Sequence, residues 1–347
     1  MTAPNVIISF ETIDPATYAG FKSLVEEQAH HHDCVFSGTD AAFLQALSAP
    51  DAVPKTLVMR DAGTNEAIGY LLFNHSYGFK GQEYYMEDLF VAVAHRDHGH
   101  GFSLMQALKS EARDNAIDHI SWTVARNNAG AVGFYKNKMH ASLVSHTIYD
   151  GSDLLSTPPA LSSDHDVRKA DSADLDLIES YVGQLKSLTP EVMENIRAAA
   201  AAPNAQVYIA LSNDGTPKAV GIANANYSTF RTVYGQKLEL MELVTSDVAD
   251  ASKSFEALTA YAVSDAKAIG HDGHFNVYAG SNSLAHRQFI QNMGLKPLQM
   301  TDDPASVFDV YGLDHQTIYA PTASNVVYIS RKQSPSDPKN KMGGFGS

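Results

Sequence analysis

Apolar and polar positions alternate in a pattern that runs along the chain twice. Val6 to Phe10 reads as a strand, and Tyr18 to Ala29 as an amphipathic helix with Tyr18, Phe21, Leu24 and Val25 on one face. Thr39 is placed to cap a short helix over Asp40 to Leu47, and strands at Lys55 to Arg60 and Ala67 to Asn74 flank an Asp61-Ala62-Gly63 turn. An apolar strand ending near Val91, a helix over Phe102 to Asn115, a further strand and an Asn-led helix complete the first set. Residues 151–165, GSDLLSTPPALSSDH, are rich in Ser and Pro and read as a linker. The set then restarts: Val167 to Asp171 opens a strand and helix, Val207 to Leu211, Ala219 to Asn226 and Leu238 to Val244 repeat three strands, and Phe255 to Ile269 repeats the helix that began at Phe102.

The chemistry-bearing stretch lies between Tyr84 and Ala141. Arg96-Asp97-His98-Gly99-His100-Gly101 joins a strand to a helix, and its two glycines permit positive φ and close backbone approach. The helix that follows presents unpaired N–H groups and a positive dipole end to an anion, so the turn suits a pyrophosphate. It does not have the Gly-x-Gly-x-x-Gly spacing of a dinucleotide turn.

These residues resemble the GNAT superfamily of acyl-CoA N-acyltransferases, whose pyrophosphate loop reads Arg/Gln-x-x-Gly-x-Gly/Ala. Glu87-Asp88-Leu89-Phe90-Val91 before the loop and Asn128-x-x-Ala131-x-x-Phe134-Tyr135-Lys136 after it resemble the diamine and polyamine (spermidine/spermine) acetyltransferases, over roughly residues 5 to 150. The resemblance implies an α/β fold with a mostly antiparallel twisted sheet, a splayed strand pair and flanking helices. It implies acetyl-CoA as co-substrate, bound by Leu89, Phe90 and Val91 along the pantetheine, by Arg96, Asp97, His98, Gly99, His100, Gly101 and Phe102 at the pyrophosphate, and by Asn128 and Ala131 beyond. Tyr135 is implied as the acid that protonates the departing thiolate, and Glu87 as the base that takes a proton from the attacking ammonium. A V-shaped gap between Leu89 to Val91 and His119 to Val124 is expected in the first half only.

The roles are chemically apt. A primary ammonium, with an ordinary pKa of about 10.4, is not nucleophilic at neutral pH until a base removes its proton. The scheme needs no metal and no covalent enzyme intermediate. Glu87 also reads as a strand-end carboxylate, and Tyr135 as an aromatic packed on the sheet. Glu87 and Asp88 alternate, so a regular strand sends them to opposite faces unless a bulge intervenes.

The repeat assigns this chemistry to the first half. At an offset of 153 residues Ala249, Ser252 and Ser254 stand opposite Arg96, Gly99 and Gly101, and at 154 Phe289 stands opposite Tyr135. Asn282 and Ala285 persist opposite Asn128 and Ala131. The expected division is a catalytic GNAT domain over 1–152, a linker over 153–165, a degenerate second GNAT-like domain over 166–332 and a disordered tail over 333–347. The second half is expected to complete the acceptor pocket of the first, giving a monomer with an intramolecular domain pair, or a homodimer.

Composition narrows the class. The chain has 347 residues, 44% of them hydrophobic, enough for about two domain cores. No apolar run approaches a membrane span and no basic-plus-apolar leader is visible, so a cytoplasmic protein without a membrane partner is expected. The single cysteine, Cys34, precludes an internal disulfide and reads as a small buried or half-buried thiol. A net charge of −14 disfavours a nucleic-acid partner and favours a cationic small-molecule amine. A polyamine, diamine or lysine-like amino acid leads; an antibiotic, an amino-sugar, a protein lysine or a non-catalytic acyl-CoA sensor are the alternatives. His30-His31-His32-Asp33 reads as a solvated helix end, because adjacent residues there do not converge on one ion. Tyr77, Phe79, Tyr84 and Tyr85 read as strand alternation that could also line the acceptor pocket.

Overall fold

The computed structural model describes residues 6–31, 39–48, 54–79, 81–144, 146–184, 191–228, 235–245, 251–268, 274–280, 284–299, 307–320 and 327–329. Cys34, His32, Asp33, Ala249 and Asn282, together with the tail over 333–347, lie outside the described residues. The first half runs β1 (Val6–Phe10), α1 (Tyr18–His31), α2 (Asp40–Ser48), β2 (Pro54–Asp61), β3 (Ala67–Gly78), β4 (Gly81–Val91), α3 (His100–Asp114), β5 (His119–Ala125), α4 (Ala129–Asn137), β6 (Ser142–Leu143) and β7 (His146–Asp150). The second runs α5 (Ser152–Ser156), β8 (His165–Lys169), α6 (Ser172–Gln184), α7 (Glu191–Ala201), β9 (Ala205–Ser212), β10 (Pro217–Ser228), β11 (Gly235–Thr245), α8 (Ala251–Ala268), β12 (Phe275–Gly280), α9 (Leu284–Asn292) and β13 (Lys296–Pro297), and the chain continues through β14 (Phe308–Leu313), α10 (His315–Tyr319) and β15 (Val327–Ile329).

Two mixed sheets form, with strand orders β15-β1-β2-β3-β4-β5-β14-β6 and β13-β7-β12-β11-β10-β9-β8. In each, four antiparallel strands lead to a parallel pair, β4 with β5 and β11 with β12, and in the first sheet β15 adds a second parallel pair at β1. The two halves exchange a strand. β7 follows the first set of elements yet pairs antiparallel with β12, from Asn276 opposite Asp150 to Gly280 opposite His146. β14 returns the exchange, pairing with β5 from Phe308 opposite Ala125 to Leu313 opposite Ile120. The two sheets therefore do not divide where the linker stretch lies.

That stretch is also more ordered at its start than its Ser and Pro content suggests. Residues Ser152–Ser156 form α5, and Leu155 is buried in the core of the second sheet. Gly151 precedes the helix, where a Cβ would lie 3.0 Å from the Phe275 ring.

The halves are also joined through β3 and β10 by buried asparagines in a reciprocal arrangement. Asn74 donates from Nδ2 to the Tyr227 carbonyl (3.0 Å) and accepts the Tyr227 N–H at Oδ1 (3.1 Å). Asn224 does the same to Tyr77, at 2.9 and 2.8 Å. Ser76 donates to Asn226 Oδ1 at 3.0 Å and Asn204 to the His75 carbonyl at 2.8 Å. Asn74, Asn224 and Asn226 are fully buried, so each needs such partners to offset its lost hydration.

Side chains cross with the backbones. The core between the first sheet and α1 and α2, which contains Phe21, Val25, Phe43, Tyr70 and Phe90, also contains Tyr227. In return, Phe79 is buried in the second sheet's core with Ile178, Val192 and Ile196, and Tyr77 packs against it. Tyr77 and Phe79 thus serve the junction between the halves, and Tyr84 and Tyr85 are buried in apolar clusters.

Candidate functional site

β4 and β5 pair only from Glu83 opposite His119 to Met86 opposite Trp122, although β5 runs on to Ala125. Beyond Met86 the strands part, opening a wedge beside Leu89, Phe90 and Val91. The cause is visible in the β3 ladder, where Leu72 faces Asp88 and Phe73 faces Met86, leaving Glu87 as the extra residue of a β-bulge. The bulge breaks the simple alternation of Glu87 and Asp88 and turns the strand away from its parallel neighbour. Val91 is tied from the other direction, its carbonyl accepting from Arg96 Nε at 3.0 Å. The Arg96 guanidinium lies 5.2 Å from the Phe90 ring centroid, and Phe90 points into the α1 and α2 core.

The turn after β4 has the conformation its glycines permit. Asp97 and Gly99 have φ of 65° and 80°, and Gly99 is the N-cap of α3 without a side-chain cap. Residues 97–99 are exposed. The first α3 bond runs from Ser103 N–H to the Gly99 carbonyl at 3.0 Å, so the amides of His100, Gly101 and Phe102 precede it and point outward at the positive end of the helix. A Cβ at Gly101 would stand 3.6 Å from Leu89 Cδ2 and 3.8 Å from Phe134 Cζ, so turn, splayed strand and α4 meet at this glycine. His98 stacks on His100 at 5.8 Å and its Nδ1 lies 2.6 Å from the Arg96 carbonyl. Burial, then the neighbouring charges of His98 and His95, depress the pKa of His100, which is neutral at neutral pH. With His100 neutral, the outward-facing donors of this helix start are its backbone amides.

Asn128 caps α4, its Oδ1 accepting from Ala131 N–H at 3.1 Å. The same helix carries Phe134 and Tyr135 onto the wedge. The Tyr135 ring lies 4.7 Å from Trp122 and 5.0 Å from Phe134, and the residue is 7% exposed. Burial, followed by the charge of Asp88, raises the phenol pKa above its ordinary value, so Tyr135 holds its proton through neutral pH and is able to donate it.

Two residues of this region, Gln28 and Tyr227, were not singled out by sequence reasoning. Asp88, 6% exposed, accepts from Gln28 Nε2 at 3.2 Å, and Gln28 in turn accepts from the Tyr70 hydroxyl. Gln28 reads in the sequence as a polar position on a helix face, so only the packed fold brings it to the strand. Tyr227 arrives from the second half into the α1 and α2 core, where burial first, then Tyr18, Asp88 and Glu87, raise its phenol pKa. Its signal lies in the repeat, since Tyr77 stands at the matching place in the first half.

The second sheet reproduces part of this. Leu238 to Leu240 pair in parallel with Phe275 to Val277 and no further, and Met241 is the extra residue of a bulge between Ile222 and Ala223. The strand splay is therefore not confined to the first half, because the bulge that causes it recurs. The helix start differs. Ala251, Ser252, Ser254 and Phe255 of α8 are buried, Ser254 Oγ lies 3.1 Å from His165 Nε2, and His286 stacks on Phe255 at 4.9 Å. Phe289, at the place of Tyr135, is 0% exposed and packs edge-on to Phe255 at 5.9 Å.

Residues 22–140 match the family described as Acetyltransferase (GNAT) family. Over that stretch the chain is similar to GNAT acetyltransferases. That stretch contains the wedge, the α3 turn, Asn128 and Tyr135, and the co-substrate class of the GNAT fold is an acyl-CoA. Among solved structures, a tandem GNAT protein from the clavulanic acid biosynthesis pathway aligns over 92% of this chain and 100% of its own, at 11% identity and a TM-score of 0.53. A glucosamine N-acetyltransferase region of a fungal multi-domain GH3 β-N-acetylglucosaminidase aligns over 90% of this chain and 38% of its own, at 11% identity and a TM-score of 0.55. These likenesses concern the fold, and the first extends it to both repeats. No match was found among curated proteins. Among the described residues no helix is long and apolar enough to cross a membrane.

Proposed function

We propose that the protein is an acetyl-CoA-dependent N-acetyltransferase that passes the acetyl group directly to a primary amine of a small molecule, and that the first repeat does the chemistry. The observation that supports this reading is the conjunction at Gly101, where the outward amides of α3, the splayed β4 and the α4 helix bearing Tyr135 meet. Acetyl-CoA would supply an activated acyl thioester. His100, Gly101 and Phe102 amides would hold its pyrophosphate, the free wedge side of Leu89 to Val91 its pantetheine, and Asn128 and Ala131 the α4 side.

Glu87 takes the proton that the attacking ammonium must lose, directly or through water, and Tyr135 gives a proton to the sulfur as the carbon–sulfur bond breaks. The raised pKa keeps Tyr135 in the protonated form this step uses. Asp88 follows Glu87 in the bulge and accepts from Gln28. The second repeat is structural: side chains fill its α8 start, and Phe289 has no proton to give. A polyamine, diamine or lysine-like amino acid is the preferred acceptor, supported by the carboxylate pair Glu87 and Asp88 and by the net charge of −14.

Thiol release from acetyl-CoA, measured over a panel of primary amines that includes amino-sugars and lysine peptides, tests the reading. Turnover with small cationic amines is expected. Binding of acetyl-CoA with no turnover on any amine would overturn it in favour of a sensor.

A further inference from the structure

The wedge between β4 and β5 has a closed end, and both repeats contribute to closing it. The last rung of the ladder is Met86 opposite Trp122. On the α4 face of that rung the Trp122 ring lies 4.7 Å from Tyr135, and Trp122 is 1% exposed. On the other face Tyr85 stands opposite Ser121, one rung back, and reaches diagonally across the strands. Its hydroxyl lies 3.3 Å from Oγ1 of Thr123, the first β5 residue past the ladder, so the ring spans the point where the strands begin to part. Tyr85 is buried, whereas Thr123 and Leu89 are half-buried and border the opening. The second repeat stands behind the ring: Tyr85 shares one apolar cluster with Ile148 of β7, Tyr278 of β12 and Leu298, whose N–H donates to the Ile148 carbonyl at 2.9 Å. A ring backed and pinned in this way is held across the wedge.

The two ends of the wedge set the direction of a co-substrate. The outward amides of α3 meet Leu89 at Gly101, on the open side, and Met86 lies three residues back along β4. An acyl-CoA held there by its pyrophosphate and laid along Leu89 brings its acyl end to the closed side. We infer that this closed end is an acyl-length gauge, in which Tyr85, linked to Thr123 and braced by the second repeat, admits a two-carbon acyl group and stops longer ones. The inference rests on the acyl-CoA reading above, and it gives the second repeat a part in specificity without a site of its own. A further methylene would have to enter space already taken by the Tyr85 and Trp122 rings, and one methylene in a fitted pocket changes discrimination by about 10- to 200-fold.

The test measures thiol release from acetyl-CoA and from propionyl-CoA with the best amine of the panel, and reads the propionyl-to-acetyl ratio of kcat/KM in the full chain. In the wild type the ratio should be about 0.1 or less. Tyr85→Leu removes both ring and link and should bring the ratio to within about twofold of one. Tyr85→Phe keeps the packing and loses only the link; it should raise the ratio about threefold, the size of one released neutral hydrogen bond. Leu298→Ala loosens the brace and should raise the ratio by a similar factor, about threefold. Leu258→Ala, also a buried position but in the α8 core, should lower the melting temperature and leave the ratio at the wild-type value. A wild type that uses both thioesters equally, a ratio unmoved in both Tyr85 variants, or an equal rise in Leu298→Ala and Leu258→Ala would overturn the inference, while acetyl transfer keeps the broader reading intact. A wild type that turns over neither thioester with any amine would overturn both.

Discussion

The starts of α3 and α8 occupy matching places in two sheets built on one plan, and they differ in what surrounds them. At α3 the turn is exposed, positive φ at Asp97 and Gly99 swings the chain clear, and three amides face outward. At α8 the first turn is buried, Ser254 is bonded to His165, and the Phe255, His286 and Phe289 rings fill the adjoining volume. The splayed strands and the bulge persist in both. The splay therefore belongs to the scaffold, and what differs between the two copies is whether the amides of the helix start face outward.

The sharpest break of that comparison is at the phenol. Replacing Tyr135 with Phe should lower kcat about 100-fold or more while leaving acetyl-CoA affinity within about threefold, as expected for loss of a positioned general acid. The converse change, Phe289→Tyr, should leave kcat unaltered, since the groove it would serve is filled. A comparable kcat in Tyr135→Phe, measured by thiol release, would move the acid elsewhere.

Next in size is the turn. Gly99 has open space around its Cα, so Val there is opposed by conformation alone. Forcing a β-branched residue to φ of 80° costs about 1–2 kcal/mol or shifts the turn, and acetyl-CoA should bind at least tenfold more weakly in Gly99→Val. Ser254→Gly in α8 should add no binding. Equilibrium titration of both variants with acetyl-CoA checks the pair.

The junction is expected to matter for stability more than for chemistry. Asn224→Ala removes two bonds to the Tyr77 backbone and leaves its N–H and carbonyl without those partners, for a loss of about 2–4 kcal/mol in chemical denaturation. The pH dependence carries the smallest effect. Because the Tyr135 pKa lies above its ordinary value of 10.0, the acid stays protonated as pH rises, and kcat should show no fall up to about pH 10. A decline between pH 8 and about 9.5 would indicate a donor of lower pKa.

Much of the scaffold was legible because its elements are periodic and its turns carry glycine. The spacing predicted a strand over Val6 to Phe10 and a helix from Phe102, and the structure has β1 over the same residues and α3 from His100. The strand exchange was not legible. β7 and β14 are short, and the strand that takes each is remote along the chain, β12 for β7 and β5 for β14. The bulge at Glu87 lay equally out of reach, since one extra residue leaves no mark on composition. Tyr227 was hidden for a different reason: alternation along β10 accounts for it as a strand aromatic, and only the packing of one repeat into the other brings its ring to Phe43 in the α1 and α2 core.

The central claim, that one repeat of two binds and uses the co-substrate, is tested most directly by titrating acetyl-CoA calorimetrically into the full chain and into Gly99→Val. The account predicts one equivalent bound by the wild type and none by the variant at the same concentrations. Two equivalents in the wild type, or one surviving in Gly99→Val, would contradict it.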